Sequence, residues 1–227
     1  MSVTNSARRV TVAADLAKAR HRTNHEDNVM VSNAGITRAG QGAGAALILT
    51  VITQIVYLGL DAGGQAHIAY PIWRIEAIAA LVVAVLGFGL IARNALVGGA
   101  LAAGGLLNLF QTGMGLTLFY QLGYGGEAPP EPAFMPILGF SFFLYFAAKA
   151  AIGIAGLVLG TRLVVREQGL WKWLGLTALI TGVAAFLANI AAMAMGMGIV
   201  FVAGGIGTVA TLFAAIALLR FATSAAD

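Results

Sequence analysis

The chain has 227 residues and a net charge of +4, with 59% of its residues hydrophobic and only 10% charged. A water-soluble domain carries about 25% charged residues, so this composition excludes an ordinary soluble surface and makes lipid the solvent for most of the chain. With no cysteine, it also excludes disulfides, thiolate metal sites, iron–sulfur clusters and a cysteine nucleophile.

Residues 1–40 read as a basic cytoplasmic arm containing Arg8, Arg9, Lys18, Arg20, Arg22 and Arg38. The stretch RRVTVAADLAKARHR predicts a short helix with Val12 and Leu16 on its apolar side, resting on anionic headgroups. Its charges lack the interleaved aromatics of a nucleic-acid surface, so membrane lipids rather than nucleic acid are the expected partner. A signal peptide places its apolar stretch near its start, and this arm does not.

Continuous apolar runs follow near 41–60, 72–92, 96–122, 134–160, 170–195 and 197–221. Each meets the length of about 20 residues needed to cross hydrocarbon, and none alternates in polarity as a barrel strand would. The expected fold is therefore an all-α, polytopic bundle of six transmembrane helices over 41–223. The tight turns at Arg93-Asn94 and Met195-Gly196-Met197-Gly198 make the helices on either side antiparallel neighbours. The segment GGEAPPEP forbids helix between the third and fourth spans.

Orientation follows from the basic residues. With the N-terminus inside, the arm's charges join Arg93, Arg162, Arg166, Lys172 and Arg220 on the inner side. Arg74 is left outside and Lys149 lies within a span. The positive-inside rule then puts both termini in the cytoplasm of a bacterial inner membrane. Trp171, Lys172 and Trp173 read as an inner headgroup anchor, and Tyr70, Trp73 and Tyr124 as an outer one.

Small residues let helices approach closely and gain dispersion contacts in lipid. Gly153, Gly156 and Gly160 mark such a face on the fourth span, and Gly204, Gly207, Thr208 and Thr211 mark one on the sixth. These faces serve packing within the bundle or a contact with another subunit or copy.

Lys149 is the sharpest anomaly. It lies about 20 Å from either end of its helix, near the bilayer midplane, where an ammonium must be paired, hydrated or neutral. At a similar depth lie Asn108, Gln111 and Thr112 of the third helix and Thr208 and Thr211 of the sixth, with Tyr145 one turn away. Arg74 and Glu76 are placed at the outer rim, about 15 Å from Lys149 along the normal, too far for a direct ion pair with Glu76. His67, Asp61, Glu127 and Glu131 lack metal-ligand spacing, and the spans hold no paired histidines for haem. Neither a phosphate-binding glycine loop nor a nucleophile elbow occurs, so no cofactor, metal or catalytic residue is expected.

Two stretches, PIWRIEAIAALVVAVLGFGLIA and GLVLGTRLVVREQGLWKWLGLTALITGVAAFLA, carry a resemblance. They are similar to a bacterial family of six-helix membrane proteins classed as a domain of unknown function. The likeness covers about half the chain and implies the fold but no catalytic residues. The chain departs from that pattern in its long basic arm, and in Leu170-Trp171-Lys172 where the family has a proline. The expectation for function is a non-catalytic accessory or structural subunit of a membrane assembly. The alternative is a small transporter or channel with a midplane site around Lys149.

Overall fold

The computed structural model of the chain describes residues 34–60, 65–124 and 132–223. The arm residues Arg8, Arg9, Lys18, Arg20 and Arg22, and the loop acids Asp61, Glu127 and Glu131, lie outside the described residues. Within them every regular element is helical, and 5 helical runs are long and apolar enough to cross a membrane. The molecule is a multi-pass membrane protein by that measure.

The first run, α1, is Ala34–Gly59 and begins inside the stretch expected to be arm. α2 is Ala66–Leu90, starting before the expected 72 because Pro71 is taken into the helix. A proline costs a helix its amide donor, so the bond from position 71 to the His67 carbonyl is missing while the helix runs on. α3, Ala95–Met114, is capped by Asn94, whose Oδ1 accepts from the Val97 amide at 3.2 Å. That cap satisfies an otherwise free amide and fixes the turn. α3 then widens into a π turn over Gly115–Phe119. α4, Phe134–Arg166, is the longest single helix at 33 residues. The last run, Gly169–Thr223, comprises α5 (Gly169–Met195), a 3₁₀ turn (Gly196–Ile199) and α6 (Val200–Thr223).

The chain folds back at Gly196, where φ is +70°, a conformation that glycine adopts without steric cost. Beyond the turn, Asn189 Nδ2 of α5 donates to the Ala203 carbonyl of α6 at 3.3 Å.

Glycine sets how closely the helices approach. A methyl added at Gly182 would lie 2.6 Å from the Leu157 backbone nitrogen, and one at Gly153 would lie 2.8 Å from the Gly182 carbonyl oxygen. Gly160 meets the Leu179 backbone in the same way, and Gly156 faces Ala214 of α6. The α4 stripe expected from the sequence is therefore used inside the bundle. α2 and α3 repeat the device at Gly87 and Gly105. The start of α1 packs on the end of α6, where a methyl at Gly40 would lie 2.8 Å from the Ala222 Cβ. The core along these seams is alanine, leucine and valine, including Leu47, Val83, Leu101, Leu159 and Leu218.

Candidate functional site

Lys149 projects from the middle of α4 into the bundle and is 1% exposed. The small residues of α6 make room for its stem, since a methyl at Gly207 would lie 3.0 Å from the Lys149 Cβ. Its Nζ donates to Gln54 Oε1 of α1 at 3.0 Å and to Thr211 Oγ1 of α6 at 3.3 Å. Thr211 in turn donates to the Gly207 carbonyl at 2.7 Å, which leaves its oxygen lone pairs for the lysine. Nζ also lies 5.4 Å from the centroid of the Tyr145 ring, within range of a cation–π attraction.

Gln54 links the two ionisable groups. Its Oε1 takes the lysine and also accepts from Thr208 Oγ1 at 2.7 Å, while its Nε2 donates to Glu76 Oε1 of α2 at 3.0 Å. Asn108 Nδ2 of α3 reaches the same carboxylate oxygen at 3.4 Å. Side chains from α1, α2, α3, α4 and α6 thus meet in one buried chain, ordered Lys149–Gln54–Glu76–Asn108. Among the described residues no direct Lys149–Glu76 ion pair forms; the amide stands between the charges.

The polar residues expected near the midplane divide into two groups. Lys149, Asn108, Thr208 and Thr211 join the network, and Tyr145 borders it beside Gly204, a methyl there lying 3.2 Å from its Oη. Thr112 instead bonds to carbonyls of its own helix, Asn108 at 2.9 Å and Leu109 at 3.1 Å. Gln111 is half-buried and makes no side-chain hydrogen bond among the described residues.

Glu76 needs correction. It is not a rim residue: it is 6% exposed and faces the bundle, while Arg74 is exposed on another side of α2. The earlier start of α2 adds a turn and a half above Glu76, about 9 Å, and so carries it deeper than a start at 72 implies. Gln54 was missed altogether. Its trace in the sequence is an amide inside an apolar run, three residues before Tyr57 and seven before Asp61.

An aromatic cluster closes the network at the Trp73 end. Trp73 precedes Glu76 by one helical turn, and Tyr57 follows Gln54 by one, so each aromatic shares a face with a network residue. Tyr57 stacks on Trp73 at 6.1 Å, with Phe119 edge-on to it at 5.8 Å and Tyr124 at 5.5 Å. The π turn brings Gly115 against the indole, where a methyl would lie 2.9 Å from it. Trp73 is 9% exposed, so it is a packing centre and not the lipid-facing anchor expected of it. At the other end, Trp173 is exposed beside the exposed Lys172, and Trp171 lies 5.3 Å from the Arg220 guanidinium.

Asn108 Oδ1 is buried with no hydrogen-bond donor. Turning that amide over would present Oδ1 to Glu76, and only a protonated Glu76 would give it a donor. The carboxyl and the amine are thus joined by a hydrogen-bonded path through Gln54.

Compared with protein-family models, with curated proteins and with solved structures, the chain matches none, and its functional reading rests on the geometry just described.

Proposed function

We propose that the protein is a small proton-linked transporter or channel with six crossings and both termini in the cytoplasm. Its site is the Lys149–Gln54–Glu76 chain. The observation that carries this reading is the burial of an acid and an amine on different helices, joined through an amide instead of paired. An ionisable side chain is expensive in hydrocarbon, and a pure packing role is met more cheaply by apolar residues. The amide bridge lets one charge change while the rest of the hydrogen bonds hold. An inner side at the Arg93 end is supported by the gathering there of Arg93, Arg162, Arg166, Lys172 and Arg220.

A subunit role drew support from the small-residue faces of α4 and α6. Within the chain Gly153, Gly156 and Gly160 meet α5 and α6, and Gly204 and Gly207 meet Tyr145 and Lys149, so these residues lend that role less support.

The test is proton flux into liposomes carrying the purified protein, driven by a potassium diffusion potential and followed with an internal pH dye. Flux above that of empty liposomes is expected for the native chain, with at least a tenfold loss in Glu76→Gln and in Lys149→Met. Lys172→Gln should leave it unchanged. Absence of flux in the native protein, together with stable copurification of another membrane protein, would replace this reading with the subunit one.

A further inference from the structure

A second charged site lies at the opposite end of the bundle from Trp73, and it stands independently of the transport reading. Arg93 occupies the turn after α2, and Arg162 and Arg166 belong to the end of α4. Phe221 of α6 gathers two of them. The Arg93 Cζ lies 4.3 Å and the Arg162 Cζ 5.3 Å from its ring centroid. Burial, then the like charges of Arg162 and Arg166, push the Arg93 guanidinium below its ordinary value, though an arginine stays protonated at neutral pH.

Among the described residues no carboxylate balances this cluster. Glu167, the acid at this end among the described residues, is taken by Arg220 through two bonds, Nε to Oε1 and Nη2 to Oε2, both 3.1 Å. The other described acid, Glu76, lies in the network far from this end. Two guanidiniums held over one ring, with Arg166 one helical turn beyond Arg162 and no acid of the described residues left to pair with them, are an arrangement that an anion would stabilise. Their planar forks match the oxygens of a phosphate.

Apolar surface borders the cluster. Val165, beside Arg166, is 78% exposed, and Ile91, in the Arg93 turn, is 39% exposed. A ligand with a phosphate head and hydrocarbon tails fits both features, and helix ends are where such heads lie in a bilayer. We infer that Arg93, Arg162 and Arg166 form a binding site for the phosphate headgroup of an anionic lipid, with Phe221 holding the first two guanidiniums in place.

The experiment is native mass spectrometry of the full chain, delipidated in an uncharged detergent and titrated separately with phosphatidylglycerol, phosphatidylcholine and inorganic phosphate. One phosphatidylglycerol should bind at least tenfold more tightly than phosphatidylcholine, with inorganic phosphate much weaker. Arg93→Gln/Arg162→Gln should reduce that preference at least tenfold, whereas Arg38→Gln/Arg74→Gln, an equal loss of two charges at exposed positions outside the cluster, should alter it less than twofold. If the double glutamine variant aggregates, Arg93→Lys/Arg162→Lys keeps the charge and loses the fork, and should still lower the preference several-fold. Equal losses in the Arg38/Arg74 and Arg93/Arg162 glutamine variants would show that net charge alone matters and would overturn the site. So would equal binding of the two lipids, an unchanged preference in the double lysine variant, or phosphate binding as tight as phosphatidylglycerol.

Discussion

The two sides of α4 are joined to their neighbours by opposite means. Toward α5, Gly153 and Gly160 meet Gly182 and Leu179 backbone to backbone, and no polar side chain is needed. Toward α1, α2 and α6, the join is made by Lys149, Gln54, Glu76 and Thr211. Lipid supplies no hydrophobic force between helices, so each side must find attraction elsewhere: dispersion at close range on one, hydrogen bonds on the other. A backbone seam tolerates no added carbon and fixes the helix pair. Side-chain bonds can exchange partners, so any rearrangement belongs on the polar side, where the ionisable groups are.

Four substitutions would break or sharpen that contrast, each read by unfolding in detergent. Lys149→Met should have the largest effect, about 3–5 kcal/mol, because it leaves Glu76 without a balancing charge. An unchanged stability would mean that the amine plays no part in holding the polar side. Gly182→Val forces the α4 and α5 backbones apart and should cost about 1–3 kcal/mol, with helical content retained in circular dichroism. Native-like stability there would show that the seam has slack. Thr211→Val removes one acceptor from the lysine while Gln54 remains, a loss of about 1 kcal/mol. Gly205→Ala is the smallest, within about 0.5 kcal/mol, because no atom beyond the local backbone of its own helix lies within 4 Å of the position a methyl would take. A large effect at Gly205 would point to a contact outside the single chain.

The helical bundle was legible because apolar runs of membrane length leave few alternatives, and the fold-back at Gly196 was legible as a glycine-rich turn. Lys149 stood out for the same reason: a charge in hydrocarbon must be paired, hydrated or neutral. Glu76 was misplaced because its depth was counted from a helix start after Pro71, whereas the backbone runs through that proline from Ala66. Gln54 left almost no trace, since an amide in an apolar span is unremarkable until its partners are known. Those partners, Glu76, Lys149 and Thr208, come from three other helices. Depth can be counted along one helix. Which faces meet depends on rotations that the small residues set jointly, and no single run encodes them.

The claim on which the rest depends is that Glu76 and Lys149 act as one unit through Gln54. A double-mutant cycle on unfolding stability tests it: Glu76→Gln, Lys149→Met and the pair, in the native chain and in a Gln54→Leu background. The pair should cost less than the sum of its parts by about 1–3 kcal/mol in the native chain. That difference should fall by at least half once Gln54 is gone. Costs that add to within about 0.5 kcal/mol in both backgrounds would contradict it.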